Sequence, residues 1–488
     1  MIAWPLFRPH LGKRPPFAGN GHTGAPWLGE DGSAERPDGL CPSADLVPGA
    51  GTRLHYPISA VNMTVPLSRD ESDPLGQLFV LNEDRDALLA GARPAEPLVL
   101  RANVGDCVRT IFTNDIPDGV VPDGFPSKVN KHIHFVQFDP QGSDGVVSGM
   151  SYEQSLKPYR NEGRVLVSSV TAGATTLQVT STDRLRPGVW IGVGLGEGMC
   201  GPGTPCTEIR QIASIMGTTI TLALPLDLPH DAGEAVGVEF VQALWYADVD
   251  TGTVFFHDHG RVSTWDHGLF GALIIEPAGS TWHDPTTGAP IRSGTLADIH
   301  APPAASVGWG QQGPFREAVL FQHSRQGDDA EDSGSFNLRY EPLAGRGGEP
   351  AYRFSSVTHG DPVTPLPRAY VGDPFVIRHM GVVEQAGSLR LTGHRFRLER
   401  WAEGGRLGDA SPVGISSRFD LVLDGGAGGP EGKAGDFLYY SATQREFLHG
   451  AWGLLRVHDT LRPDLQPLPG RTPPSGTGFP TQGVTGSA

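Results

Sequence analysis

Short apolar runs separated by turn-forming residues are the dominant pattern of this chain. Its 488 residues include 66 glycines and 43 prolines, and both residue types disfavour the interior of helices. Between them lie runs rich in β-branched and aromatic residues, such as LVLRANV (98–104), TVFFH (253–257) and GALIIE (271–276). Runs of this length and spacing are typical of strands in β-sandwiches and barrels. The sequence therefore predicts an all-β protein.

An internal repeat indicates that the chain contains two similar units. The segment RANVGDCVR (101–109) returns as RAYVGDPFVIR (368–378), and HGLFGALII (267–275) returns as HGAWGLLRV (449–457). The first copy is longer, and its extra residues form a separate set of short strands and turns. Insertions of this kind are tolerated at surface loops. We therefore expect two similar β-sandwich domains, the first interrupted by a small β insertion.

The expected domain boundaries follow from this repeat and from the Gly- and Pro-rich ends. They are an irregular N-terminal arm (1–50), domain 1 (51–162 and 241–281), an inserted small β domain (163–240), a linker (282–312), domain 2 (313–462) and a disordered tail (463–488).

Composition excludes several classes of partner. The net charge is −16 without a block of Lys or Arg, which disfavours nucleic acid and anionic membranes as partners. No apolar run approaches the roughly 18 residues that span a bilayer. The first residues, MIAWPLFRPHLGKRPP, do not form a signal peptide, so the protein either stays inside the cell or has already been processed.

The four cysteines are too few for a disulfide framework in a chain of this length. Cys200 and Cys206 bracket a Gly/Pro loop, where a local disulfide and two free thiols are both favoured over a metal site. Cys41 and Cys107 have no partner that the sequence identifies.

Two His-x-His pairs are the strongest chemical signal in the chain. They are His132-Ile133-His134 and His257-Asp258-His259, both in strand-like surroundings of the first repeat. Alternate residues of a strand point to the same face, so each pair would present two imidazoles together. Four imidazoles converge if the two strands approach each other. Imidazole suits Cu, Zn, Fe and Ni, whereas the alternative is that these histidines are hydrogen-bonded or surface residues.

Three segments around these pairs resemble the first cupredoxin domain of the multicopper oxidases. They are GDxVxxxxxN (105–114), HIHFVQFDPQGSDG (132–145) and TVFFHDHGRVSTWDHGLFGALIIEP (253–277). Within that superfamily the chain is most similar to the large bacterial copper oxidases of the manganese-oxidase type. The resemblance implies cupredoxin-like Greek-key sandwiches, a copper cofactor, and a location outside the cytoplasm or in the cell envelope.

The resemblance also implies roles for individual residues. His132 would serve a type 2 copper, and His134, His257 and His259 would serve a type 3 pair. His267 stands where the family has an acidic residue near the copper ions, although it could equally be a hydrogen-bonded turn residue. Asp258, within the second pair, is a further candidate for contact with the ligands or the metal.

The second domain departs from the family pattern. The motif HPxHLHGHxF falls on GSLRLTGHRF (387–396), and HCHxxxHxxxG falls on YSATQREFLHG (440–450). Ser441 therefore replaces the cysteine whose thiolate a blue copper site requires. We expect no type 1 copper, and one or two copper ions held by the four histidines. Residues near the degenerate motifs could add ligands, namely His379, Glu384, His394 and Tyr440.

These features support three alternative functions. The first is a copper-dependent oxidoreductase acting on O2 and a small reductant, with a partner subunit or a second copy completing the site. The second is a non-catalytic copper-binding or delivery module. The third is an accessory subunit of an oxidase assembly, with the histidines vestigial or occupied by zinc. A serine hydrolase is excluded by the lack of GxSxG.

Overall fold

The computed structural model describes most of the chain between residues 53 and 472. The described ranges are 53–120, 127–135, 155–247, 249–260, 263–308, 310–325, 333–383, 386–398 and 405–472. They form two compact units. Unit 1 comprises the chain up to Val65 together with Ser72–Ile275. Unit 2 comprises Pro66–Glu71 and the chain from Glu276 onward.

Unit 1 contains two four-stranded sheets. The strands of the first, in spatial order, are Phe240–Tyr246, Cys107–Asn114, Arg53–Asn62 and Gln77–Leu81. Those of the second are Leu98–Asn103, Phe270–Glu276, Gly252–His257 and His132–Ile133. The described helices of this unit are Asn82–Asp84 and Tyr159–Glu162 (3-10), and Arg85–Leu89 and Ser263–Asp266 (α).

Apolar side chains from both sheets fill the core of unit 1. Phe79 and Phe112 lie on the first sheet, and their rings meet edge to face at 5.6 Å. Phe256 lies on the second sheet, with its ring 5.5 Å from that of Phe79. These contacts bury the inner faces of the sheets against each other, as in a β-sandwich. The core therefore fixes the strand that ends at His257.

A separate small sheet lies within the sequence of unit 1. Its strands, in spatial order, are Val236–Gly237, Trp190–Val193, Glu208–Met216, Thr219–Leu222 and Thr176–Gln178. A hairpin of Met199–Gly201 with Thr204–Pro205 accompanies it. The sheet has its own buried cluster, which includes Leu177, Ile191, Ile212 and Ile220.

Unit 2 also contains two sheets, and both contribute side chains to its main hydrophobic cluster. The strands of the larger sheet are Thr281–His283, Leu296–His300, Phe315–Arg325, Phe375–Val382, Arg418–Leu423, Phe396–Arg397 and Leu407–Gly408, with Ser333–Phe336 paired to Phe315–Arg325. Those of the smaller are Arg368–Tyr370, Trp452–His458, Gly435–Ser441, Gly387–Leu391 and Ala410–Val413. Helices are Leu343–Gly345 and Pro350–Tyr352 (3-10), and Ser356–His359 and Gln444–His449 (α).

Short hairpins complete the described strands: Val65–Pro66 with Ser72–Asp73, and Ser306–Gly308 with Gln311–Gln312. This architecture confirms the predicted all-β fold class, with two sheets packed in each unit and a separate small sheet within the sequence of the first. No helix in the described ranges has the length and apolar character needed to cross a bilayer.

The Gly-Asp segments of the two units make the same turn. Gly105 and Gly372 have φ of 93° and 79°, in the left-handed region that favours glycine. The Asp106 carboxylate accepts a hydrogen bond from the backbone N–H of Asn103, and the Asp373 carboxylate accepts one from that of Tyr370. The two repeated Gly-Asp segments therefore have the same local backbone geometry.

The packed part of the chain extends further than the sequence predicts. Leu465 and Leu468 are buried, so the packed chain extends beyond residue 463, where a disordered tail was expected to begin.

Cys200 and Cys206 form a disulfide, which selects one of the two favoured alternatives. Cys107 is also disulfide-bonded, and Cys41 lies outside the described residues.

Candidate metal centre

The two histidine pairs meet because their strands are neighbours. Strand His132–Ile133 pairs antiparallel with strand Gly252–His257, and His132 lies directly opposite His257. Residues opposite each other in a pair of strands point to the same face. This pairing therefore brings the first imidazole of each pair together.

Both strands end at the histidines, which is a difference from the expected strand-embedded pairs. The first strand has only two residues, and Phe135 just beyond it has φ of 56°, which is uncommon for a residue with a side chain. The second strand stops at His257, so Asp258 and His259 lie past its end. The backbone ladder alone therefore holds only part of the site.

Three of the four imidazoles have ring nitrogens close enough to share a metal ion, and the fourth ring, that of His259, packs beside them. One ring nitrogen of each of His132, His134 and His257 lies within 4.8 Å of the others. The Nε2 atoms of His134 and His257 are 3.0 Å apart. The ring of His259 lies 4.2 Å from that of His132 and 5.1 Å from that of His257, centroid to centroid.

His257 is the most buried of the four. Its side chain is 1% exposed, and burial lowers its pKa to about 2. Its Nδ1 donates a hydrogen bond to the carbonyl oxygen of Asp258 at 2.7 Å. The Nε2 of the neutral ring therefore carries the lone pair, which faces His134. A neutral imidazole with a free nitrogen is the form that binds a metal.

Trp265 supports His257 from the side. The two rings meet edge to face with centroids 4.2 Å apart, and Trp265 Nε1 donates a hydrogen bond to the carbonyl oxygen of Asp258. The same carbonyl therefore orients both rings. The contact between this tryptophan and the histidines could not be predicted from the sequence.

Asp258 links the two pairs, and its side chain does not join the imidazole cluster. One carboxylate oxygen accepts a hydrogen bond from the backbone N–H of Asn130 at 2.8 Å, and the other accepts one from the Thr264 hydroxyl at 2.8 Å. In return, the Asn130 side-chain oxygen accepts a hydrogen bond from the backbone N–H of His259 at 2.8 Å. Asn130 was missed by the sequence analysis because nothing distinguishes it from a turn residue.

His267 lies in a turn and bonds to an aspartate. Its Nδ1 is 2.7 Å from a carboxylate oxygen of Asp73, and its carbonyl oxygen accepts a hydrogen bond from the backbone N–H of Gln77. These contacts match the turn-residue alternative for His267.

The candidate ligands of unit 2 are engaged within that unit. His379 contacts Ser411 through Nδ1 at 3.0 Å and Gln322 through Nε2 at 3.2 Å. Both nitrogens of His394 form hydrogen bonds with backbone groups, of Thr392 and Gly428. In the described structure, both ring nitrogens of His379 and of His394 thus have hydrogen-bond partners within unit 2.

Of the remaining two candidates of unit 2, only Tyr440 lies in the described part of the chain. The Tyr440 ring packs against that of Phe447, with centroids 5.2 Å apart. Glu384 lies outside the described residues, as do Asp139 and Asp144, which follow the first histidine pair. The described residues thus assign the imidazole cluster to unit 1 alone.

Ser441 belongs to a buried polar network of unit 2. Ser441 donates a hydrogen bond to the Glu446 carboxylate. The Gln322 side-chain amide lies 3.2 Å from both Ser441 Oγ and Glu446 Oε2. All three side chains are buried, and they form hydrogen bonds with one another.

No protein-family model matches this chain, and no curated protein matches its sequence. Among solved structures, the chain is similar to the multicopper oxidase mgLAC, with 12% identity over 83% of this chain and 86% of that chain and a TM-score of 0.43. It is also similar to a copper nitrite reductase from Nitrosomonas europaea, with 13% identity over 85% and 96% of the two chains and a TM-score of 0.44. A blue copper oxidase from Nitrosomonas europaea is similar at 13% identity over 84% and 86%, with a TM-score of 0.41. At such low identity and TM-score, these likenesses do not establish the activity of this chain.

Proposed function

We propose that this protein binds one or two copper ions through His132, His134, His257 and His259 and acts as a copper-dependent oxidoreductase. The observation that carries the proposal is the convergence of four imidazoles from two distant segments, with the nitrogens of His134 and His257 3.0 Å apart. A donor set made of imidazoles suits copper. Bound copper would supply one-electron chemistry with O2 and a small reductant.

The residues around the cluster fit this role. Burial keeps His257 neutral, so no proton must leave that ring before a metal binds. Trp265 and the carbonyl of Asp258 hold the orientation of the same ring. Hydrogen-bonded support of this kind raises ligand basicity and restricts ligand motion.

The resemblance to multicopper oxidases supports copper over zinc, and the departures from it argue for a site without a type 1 centre. Ser441 cannot supply a thiolate, and its hydroxyl is bonded to Glu446. Without that electron-entry site, electrons must reach the histidine site directly from a small reductant. A second function is favoured by the same observation, namely a copper-binding or delivery module without turnover.

Metal content and a matched pair of variants test the proposal. The wild-type protein loaded with Cu(II) and passed through a desalting column should retain one or two copper ions per chain. The double variant His257→Ala, His259→Ala should retain none. The control is His283→Ala, His300→Ala, which removes two stacked imidazoles of unit 2 and should leave the copper content unchanged.

Two results would contradict copper binding by these histidines: wild-type protein without retained copper, or full copper loading of the His257/His259 variant. An intense blue absorption band would contradict the expected absence of a thiolate-bound copper. Oxygen uptake with phenols, Mn(II) or Cu(I) then separates an oxidase from a carrier. A carrier binds copper but shows no uptake above that of the free ion.

Two further inferences accompany this function. Disulfides persist in oxidising compartments, and both Cys107 and the Cys200–Cys206 pair are disulfide-bonded, which supports a location outside the cytoplasm.

Four histidines leave coordination positions on the metal for a group from a second copy or a partner subunit. Sedimentation of the copper-loaded and metal-free protein tests this, since such a group would make assembly depend on copper.

A further inference from the structure

We propose that Asp258 and Asn130 are positioning residues that lock the two histidine pairs in register before a metal binds. This inference rests on the proposed function, because it concerns the geometry of the same site. It assigns neither residue to the metal itself. Their role is to convert two separate chain segments into one preorganised set of ligands.

The two residues form reciprocal bonds between the segments. Asp258 stands between His257 and His259, and its carboxylate accepts a hydrogen bond from the backbone N–H of Asn130. Asn130 precedes His132 by two residues, and its side-chain oxygen accepts a hydrogen bond from the backbone N–H of His259. Each segment therefore gives one side-chain acceptor and one backbone donor to the other, across 128 residues of sequence.

The backbone ladder at this point is too short to hold the segments by itself. Only two residue pairs, His257 with His132 and Phe256 with Ile133, are registered between the two strands. Both strands then end, and His259 lies beyond the ladder. The bonds of Asn130 and Asp258 continue the connection past the end of the strands, where the ladder stops.

Burial makes these bonds strong determinants of position. Asp258 is fully buried and Asn130 is 2% exposed, so a lost partner cannot be replaced by bulk water without cost. A bond to a carboxylate is also stronger than one between neutral groups. The Thr264 hydroxyl satisfies the second carboxylate oxygen, and the Ser155 hydroxyl lies 3.0 Å from Nδ2 of Asn130. These two hydroxyls bond to the side-chain atoms of Asp258 and Asn130 that do not take part in the links between the segments.

Asp258→Ala and Asp258→Asn separate positioning from general stability. The alanine variant removes the acceptor for Asn130 and should weaken Cu(II) affinity about 10- to 100-fold, the usual effect of losing a residue that orients metal ligands. The asparagine variant keeps an acceptor of the same shape, and its amide can donate to the Thr264 hydroxyl. We expect it to bind Cu(II) within a few-fold of wild type.

Ser155→Ala is the matched control. It removes a hydrogen bond of the same Asn130 side chain but leaves both links between the segments in place. This variant should lose some stability and keep the copper affinity and the paramagnetic resonance spectrum of the wild type. A purely structural role for Asp258 predicts instead that both alanine variants change affinity in proportion to their loss of stability.

A measurement on the metal-free protein tests the same idea without copper. In Asp258→Ala, hydrogen exchange should accelerate in the peptide that contains His259 as well as in the peptide that contains Asn130, because the two bonds support each other. Acceleration at Asn130 alone, or unchanged copper affinity in Asp258→Ala, would overturn the proposed lock. Wild-type protein that binds no copper would instead overturn the proposed function and leave the exchange result to stand by itself.

Discussion

Two buried histidines, His257 and His379, have similarly lowered pKa values but different surroundings. Desolvation lowers the pKa of His257 to about 2 and that of His379 to about 3. His257 keeps a lone pair directed at a second imidazole. His379 has both nitrogens in hydrogen bonds with Gln322 and Ser411. Burial alone therefore does not distinguish the two histidines, whereas the partners of their ring nitrogens do.

His379 is expected to make the stability of unit 2 depend on pH. Its folded pKa is about 3 and its ordinary value is 6.5, so between these values the unfolded chain binds a proton that the folded chain does not. Its contribution is fully present above pH 6.5 and is lost as the pH falls towards 3. The maximum slope is about 1.4 kcal/mol per pH unit. Urea unfolding, monitored on unit 2 peptides by hydrogen exchange, measures it.

The variant His379→Gln provides the control for this prediction. Glutamine does not titrate, so the difference in unfolding free energy between wild type and variant should shrink as the pH is lowered from about 7 to about 4. Glu446 lies in the same polar network through Gln322. It is present in both proteins, so its contribution cancels in the difference between their unfolding free energies. A difference that stays constant over this range would contradict the prediction.

At the level of strands, two glycines create space for an aromatic ring in each unit. Gly271 lies opposite Phe256, and Gly453 lies opposite Tyr439. A Cβ atom at Gly271 would be 2.6 Å from the Phe256 ring and 2.5 Å from the carbonyl oxygen of Leu98. At Gly453 it would be 2.2 Å from the Tyr439 ring. The absence of a side chain lets each ring cross the neighbouring strand.

Gly271→Ala is expected to destabilise unit 1 by about 1–3 kcal/mol, the usual cost of overpacking a core. Phe256 directly precedes His257, so displacement of its ring should also weaken copper binding. Chemical denaturation and a copper titration measure the two effects. Gly201→Ala is the neutral control, since a Cβ there would meet no atom within 4 Å.

Gly453→Ala separates the two effects of the first variant. It should destabilise unit 2 by a similar amount and leave copper affinity unchanged, because the imidazole cluster lies in unit 1. Reduced affinity in Gly453→Ala, or a fully stable Gly271→Ala, would show that the contact between glycine and ring does not act as described.

For the molecule as a whole, the two units have separate hydrophobic cores and separate polar clusters. The four candidate ligands all belong to unit 1. The buried Arg378 of unit 2 forms ion pairs with Glu276, Glu317 and Asp420. Removing one partner of such a buried ion pair is strongly destabilising, because it leaves a buried charge without compensation. Each unit thus contains its own determinants of stability.

Copper is therefore expected to stabilise unit 1 selectively. A ligand at 100 times its dissociation constant adds about 2.7 kcal/mol to the stability of the state that binds it. Hydrogen exchange with and without Cu(II) should show slower exchange in unit 1 peptides, with unit 2 peptides as the internal reference. The double variant His257→Ala, His259→Ala should show no change. Equal protection in both units would contradict a site confined to unit 1.

Much of this description could be predicted from local patterns. Short runs rich in β-branched and aromatic residues, separated by Gly/Pro turns, predict strands because such side chains pack well on a pleated sheet. Within a strand, side-chain direction has a period of two. The same period predicts that the histidines of each pair lie close together, although His134 and His259 lie beyond the strand ends. The all-β fold and the candidate residues His132, His134, His257 and His259 follow from such short-range features.

Contacts between distant segments were decided only by the tertiary structure. The register that sets His132 opposite His257, the links of Asn130 and Asp258, and the hydrogen bonds that engage His379 and His394 join residues far apart in sequence. Burial of Leu465 and Leu468 in a segment of disorder-like composition has the same origin. Local residue patterns carry no information about which segments become neighbours, because that choice depends on the packing of the whole sheet.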